Sequence, residues 1–407
     1  MDVRVCLLLT IEALLALWLL SKMDLMKNAS CVVCCVFFTF AAFALRAACL
    51  SYETLDYQNF LTHWVSFYRE NGGFAALDRS VGNYNIPYLY FMALFSYSSI
   101  QDLYLIKLLS ILFDVLLAWG CTKLLSHFCS GTVRLICCFF SVLFLPTVVL
   151  NSALWAQCDS IYVALAVLGI VCALEDRPCL SMVLMALSFG FKLQAVFIMP
   201  VYAVIWMYGK FNWKHFLIFP LTYIVLVLPA VIAGRPFIET LTLYTSQTGS
   251  IGSGMNYNSP SVFAIITDVQ DTEKASKLAI ACAFGFMLAV LLSAFIKRKN
   301  LSDMAVLIAA ALLAAGIPFL LPHMHDRYFF GADIITLVLA FALPICAPLA
   351  VLTQFASFLG YHAYLKMRYL LLMDRGAWAL IVVLISLLVC WFASLAKKNI
   401  LEDKIQP

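Results

Sequence analysis

The sequence predicts an all-α, polytopic membrane protein, and three observations carry that prediction. Of its 407 residues, 64% are hydrophobic and 12% charged, about half the charged share of a soluble domain. The mean hydropathy is +0.97. Apolar runs recur along the whole chain and reach the roughly 17–25 residues that a helix needs to cross a bilayer; they lack the short alternation of barrel strands. A formal net charge of +4 with no basic stripe gives no footing for a nucleic-acid partner.

Taken in order, the apolar runs place about thirteen spans, at roughly 4–21, 31–49, 103–124, 133–149, 159–174, 179–191, 194–208, 215–233, 276–296, 302–320, 330–345, 347–365 and 377–396. The first is read as a retained span, because one basic residue precedes it and no small-residue cleavage site follows. The run 87–100 is apolar but short, which fits a helix lying at the membrane interface. Most of the 15 cysteines sit inside apolar runs and read as small packing residues. Cys31-x-x-Cys34 has no second Cys or His pair to complete a metal site, and no disulfide framework follows. With no linker and no obvious repeat, residues 1–407 form one membrane domain.

Orientation comes from the short loops. Lys22, Lys27, Lys123, Arg134, Arg177, Lys210, Lys214, Lys297 to Lys299, Lys397, Lys398 and Lys404 fall on one side, which the positive-inside rule makes cytoplasmic. The long loops 50–102 and 234–275 and the turn 321–329 then share the outer side. A short outer loop, Lys366–Arg375, breaks the rule with three basic residues: either a span is misplaced or those residues hold an outer-face anion. The second long loop has a Gly/Ser/Thr-rich middle and ends in turn chemistry at Asn256-Tyr257-Asn258-Ser259-Pro260.

Four polar clusters interrupt the apolar background, and the topology brings all four to the outer face. They are Asp56-Tyr57 with Asn83-Tyr84-Asn85-x-Pro87; Asn151 with Trp155-Ala-Gln157-Cys-Asp159; Lys192-Leu-Gln194; and His323-Met-His325-Asp326-Arg327-Tyr328. A charge at membrane depth costs at least about 2.5–3.5 kcal/mol, so Arg46, Asp159 and Lys192 face a cavity or pair internally, and the same choice applies to Lys107 and Asp114. His323 and His325, two apart, do not share a helix face and have no further His or Cys nearby, so anion recognition with Arg327 is a better reading than metal ligation. No cofactor is required; a divalent metal is left as an open alternative. A carboxylate such as Asp56 in a polar loop can deprotonate a hydroxyl, Glu53 being the other candidate base. Trp155 and Trp64 offer apolar faces for a sugar or an isoprenoid. His63-Trp64 also suits packing at headgroup level, and Asp78-Arg79 a local pair.

These residues resemble the C-type (GT-C) membrane glycosyltransferases, more closely the bacterial proteins related to the GPI mannosyltransferase and the dolichyl-phosphate-glucose glucosyltransferases. Asp56-Tyr57 resembles the acidic motif of the first outer loop. Asn83 to Leu89 resembles the Tyr-Pro-Pro-Leu segment that closes it, with one proline missing. Trp155-Ala156-Gln157-Cys158-Asp159 is similar to Trp-Gly-Gln-x-Asp with Ala156 for Gly, and Phe191-Lys192-Leu193-Gln194 to a Lys-Pro-Gln motif. His323 to Arg327 resembles His-x-His-Glu-Lys/Arg with Asp326 for Glu. The resemblance implies a GT-C-like fold and inverting transfer of a hexose, mannose or glucose, from a polyprenyl-phosphate donor to a glycan, lipid or protein acceptor. It implies Asp56 as base, with Tyr57, Tyr84, Asn85, Trp155, Gln157, Asp159, Lys192, Gln194, Asn258, His323, His325, Asp326, Arg327 and Tyr328 around the substrates. The setting would be an extracytoplasmic face, of a bacterial plasma membrane or of the endoplasmic reticulum in a eukaryote. A transporter or flippase of a lipid-linked saccharide and a surface-polysaccharide polymerase or ligase are the alternatives.

Overall fold

The structure, a computed structural model, describes residues 2–245 and 254–396. The Gly/Ser-rich middle of the second loop and the basic tail at Lys397, Lys398 and Lys404 lie outside the described residues. Among the described residues, eight helices are long and apolar enough to cross a membrane: Val3–Lys22, Ala29–Cys49, Asp102–Ser126, Trp213–Ile232, Thr272–Ile296, Asp303–Leu320, Pro344–Lys366 and Met373–Ala396. The chain is a multi-pass helical membrane protein, in which each span satisfies its own backbone hydrogen bonds.

Side-chain caps start several of these helices. The carboxylate of Asp2 accepts from Arg4 N–H, Asn28 Oδ1 from Cys31 N–H, Asp271 from Lys274 N–H and Ser302 Oγ from Ala305 N–H. The predicted span 133–149 is not one straight helix. It breaks between Thr132–Phe144 and Pro146–Leu154 with a 45° bend, because Leu145 precedes a proline and is held extended at ψ 125°. The predicted span 194–208 divides into a tight turn, Leu193–Phe197, and a short helix, Val201–Met207, that starts after Pro200. Asp159–Leu174, Pro178–Phe191, Phe330–Ala342 and Ile86–Phe95 are shorter apolar helices.

Asp102–Ser126, Asp159–Leu174 and Asp303–Leu320 form the centre of the bundle, buried almost all round. Trp213–Ile232 and Thr272–Ile296 lie outside them and turn Leu221, Val225, Ile232, Leu278, Phe284 and Leu288 outward, as an apolar solvent permits. Arg46, Asp114 and Lys107, charged residues inside the bundle, each find partners there. Arg46 Nε and Nη2 donate to Asp114 Oδ2 at 3.1 and 2.8 Å with both side chains fully buried. Ser152 and Ser160 add hydroxyl donors to the same carboxylate at 2.6 and 2.5 Å. Lys107 Nζ instead reaches Cys49 O, Leu50 O and Tyr52 O at 3.0, 3.0 and 2.6 Å, closing the C-terminal end of Ala29–Cys49 where carbonyls are left over. Arg46, Lys107 and Asp114 thus tie helices together.

Among the described residues, two segments have a π-type turn, one extra residue per turn. They are Tyr57–Leu61, directly after Asp56, and Leu150–Leu154, directly before Trp155. Such turns re-aim the chain and are common at functional sites. Here they bracket the place where the polar clusters meet.

Candidate functional site

Asp56 heads the Tyr57–Leu61 turn without capping it, so its carboxylate is free to point inward. Trp155 Nε1 and Gln157 Nε2 both donate to Asp56 Oδ2, at 2.8 and 2.9 Å. Two residues separated by one reach the same oxygen because Ala156 between them takes a left-handed backbone, φ +64°. This is the position where the resembled motif has glycine, the residue that adopts such φ without strain. Tyr84 donates to Gln157 Oε1 at 3.0 Å, which orients the amide toward Asp56. From behind, Asp56 N–H donates to the Tyr364 hydroxyl at 3.0 Å. Asp56 keeps about a quarter of its side chain exposed.

Arg327 faces this carboxylate. Its Nη1 lies 4.0 Å from Asp56 Oδ2 and 3.6 Å from Asp326 Oδ1, and its Nε lies 3.6 Å from Asp159 Oδ2. The guanidinium also sits over the Trp155 ring, 5.2 Å from its centroid. Asp159 opens the Asp159–Leu174 helix and is held by Asn151, whose Nδ2 donates to Oδ2 at 2.7 Å. Lys192 leaves the end of Pro178–Phe191 with an extended backbone and reaches Asp159 Oδ1 at 2.6 Å. The Nε of Arg327 is buried, near carboxylates but without a hydrogen-bond partner among the described residues. A buried guanidinium donor left open in this way is suited to an incoming anion.

Burial and charge set the state of the neighbours. Burial pushes the Asp326 carboxyl up to about 7, against the pull of Arg327. Burial, and then Arg327, lower His325 to about 4, so it is a neutral ring that hydrogen-bonds rather than a cation. Burial likewise keeps the Tyr84 phenol well above its ordinary range, as a donor. His325 stacks on Tyr257 at 4.7 Å and contacts the Tyr328 ring at 5.2 Å. This stack follows from a two-residue parallel strand pair, Asn256–Tyr257 with Met324–His325, which docks the second loop on the His motif.

The chain matches no known family model, and no curated protein matches it.

Asp56, Tyr84, Trp155, Gln157, Asp159, Lys192, His325, Asp326 and Arg327 converge on one cluster. Others support it from outside. Tyr57 is buried with its hydroxyl toward Asp102 Oδ1 at 3.3 Å. Asn85 caps the Ile86–Phe95 helix and donates to Tyr223. Gln194 hydrogen-bonds Tyr328. Asn258 accepts from Tyr369 at 2.7 Å. His323, at φ +61°, is spent on Gly254 O and Ser276. Glu53 is exposed and accepts from Gln58 at 3.1 Å, whereas the acids paired with Arg327 among the described residues are Asp56, Asp159 and Asp326.

Two expectations need correction. Trp155 is no open platform for a sugar, because it is fully buried, stacked on Tyr364 at 4.0 Å and covered by Arg327. Trp64 is no open platform either; it is a packing residue, buried against Tyr84 at 5.3 Å and against Gly82, where any Cβ would strike its ring. Sequence reasoning also missed Tyr361, Tyr364 and Gly360. Asn151 donates to the Tyr361 hydroxyl at 2.8 Å. A Cβ on Gly360 would lie 2.6 Å from Asp326 O and 2.8 Å from Asn258 O, so only glycine lets that helix meet the His motif. Nothing in the sequence marks these three, at positions 360, 361 and 364 of an apolar helix.

Proposed function

We propose that the chain is an inverting glycosyltransferase that moves a hexose, mannose or glucose, from a polyprenyl-phosphate-linked donor to an acceptor hydroxyl at the extracytoplasmic face of its membrane. The observation that carries the reading is a partly exposed carboxylate set 4.0 Å from a largely covered arginine, Asp56 against Arg327, at one end of a membrane bundle. Asp56 takes the proton of the acceptor hydroxyl as its oxygen attacks the anomeric carbon. The bond from that carbon to the phosphate oxygen breaks, and its electron pair leaves on the phosphate. Arg327 and Lys192 stabilise that charge, with neutral His325 as a further donor. A single base suffices, because a phosphate leaving group needs no acid. Trp155, Gln157 and Tyr84 position the base, and Asn151 and Asp159 position the cations.

The sequence resemblance supports the same reading through residues that now lie in contact. A GT-C-like arrangement of about thirteen spans is part of the proposal, as are a bacterial plasma membrane, or the endoplasmic reticulum in a eukaryote, and a glycan, lipid or protein acceptor. The test supplies purified protein with radiolabelled polyprenyl-phosphate-mannose or -glucose and a mixed lipid acceptor, and compares Asp56→Asn. The expected result is release of polyprenyl phosphate, at least about a hundredfold slower in the variant. Undiminished turnover in Asp56→Asn would remove Asp56 as the base, and failure of the wild type to bind either labelled donor would overturn the donor class.

A further inference from the structure

The segment Lys366-Met-Arg-Tyr-Leu-Leu-Leu-Met-Asp-Arg375 runs against the charge bias of the chain: it has three cations, yet lies at the end of the bundle opposite the other basic loops. It joins two helices long and apolar enough to cross a membrane, Pro344–Lys366 and Met373–Ala396, and a loop between two such spans lies at headgroup depth. It also belongs to the site's end, since Tyr369 donates to Asn258 and Tyr364 accepts from Asp56 N–H. Met367, at φ +50°, reverses the chain, and the turn exposes Met367, Leu370, Leu371 and Leu372 at 73, 54, 48 and 66%. Among the described residues Lys366 and Arg368 enter no ion pair, and Arg375 meets Asp374 only at 3.9 Å.

Unpaired cations beside four exposed apolar side chains match one partner in chemistry and depth. The leucines enter the acyl region while the cations reach a phosphate at its boundary. We propose that this loop is a docking site for an anionic phospholipid headgroup of the leaflet bordering the site. Through Tyr364 and Tyr369 the bound lipid holds the segment that supports Asp56 and Asn258. The inference needs only that the two helices cross a bilayer, so it stands or falls separately from sugar transfer.

Trp378, 53% exposed just past Arg375, is a local reporter. Nanodiscs would carry brominated chains on either phosphatidylglycerol or phosphatidylcholine, and the quenching attributable to this residue is what Trp378→Phe removes. The expected result is a preference for phosphatidylglycerol of at least about tenfold, from about fivefold per unpaired cation. In Lys366→Gln/Arg368→Gln the preference falls to near one, whereas Lys366→Arg/Arg368→Lys keeps it and shows that the loop still folds. A wild-type preference near one, or one unchanged in the Gln pair, would overturn the proposal. So would displacement of phosphatidylglycerol by equimolar polyprenyl phosphate whose own binding the Gln pair weakens, since the cations would then serve that lipid instead.

Discussion

Trp155→Phe separates the hydrogen bond to Asp56 from the aromatic surface around it. Phenylalanine keeps a ring between Tyr364 and Arg327, so the cation–π contact at 5.2 Å persists in kind. What it removes is the Nε1–H that donates to Asp56 Oδ2 at 2.8 Å. A hydrogen bond to a charged acceptor is worth about 1.5–3 kcal/mol. If Asp56 must be aimed to accept a proton, that loss slows transfer by about 10- to 150-fold. Tyr364→Phe is the matched comparison, since it removes only a neutral partner of Asp56 N–H. At about 0.5–1.5 kcal/mol, that loss corresponds to about 2- to 12-fold in rate. The assay is single-turnover transfer from saturating labelled polyprenyl-phosphate hexose, with donor Kd and thermal unfolding measured on the same samples. Trp155→Phe is expected to lower the rate at nearly constant donor Kd. If it raised Kd and left the rate alone, or if Tyr364→Phe were the slower variant, the reasoning that this indole positions the base would be refuted.

The remaining predictions concern stability and charge. Arg46→Leu leaves Asp114 buried with only hydroxyl donors and should cost about 3–5 kcal/mol, while Arg46→Leu/Asp114→Asn should recover most of it; denaturation in mixed detergent micelles reads both, and additive losses would exclude coupling. Asp326 is raised by burial to about 7 in the folded protein, above the ~3.9 of an unfolded aspartate. Its contribution to stability is therefore fullest below about pH 4 and is lost as pH rises to about 7; Asp326→Asn should remove that part of the slope in the same assay. Relief of left-handed strain at Ala156 is worth about 1–2 kcal/mol. A lost buried methyl at about 0.8 kcal/mol and a freer unfolded chain at about 0.4–1 kcal/mol offset it. Ala156→Gly should thus be neutral within about 1 kcal/mol by thermal unfolding, whereas Ala156→Val, overpacked and β-branched at φ +64°, should lose about 3 kcal/mol or more.

Much of the site was legible in the chain because charge is so rare in it. Asp159 and Lys192 stand out next to long apolar runs, and burying either without a partner is too costly for the two to be unrelated. Tyr361, Tyr364 and Gly360 were not legible, because aromatic and small residues are ordinary in a membrane helix. Only packing shows that their helix carries the wall behind Asp56 and Asp326. The same limit applies to Trp155, whose ring reads as a binding surface until Tyr364 and Arg327 are found covering it.

Composition and the length and recurrence of apolar runs alone determined that this is a helical, many-spanning membrane protein whose polar residues are gathered in a few places. These are local properties, set by the cost of exposing backbone and charge to lipid. Which carboxylate faces which cation was decided only by the tertiary structure. Asp56, Trp155, Lys192 and Arg327 are far apart in sequence, and their approach depends on a bend at Pro146, two π-type turns and a left-handed Ala156. Each is a change of direction whose effect appears only when the helices are packed.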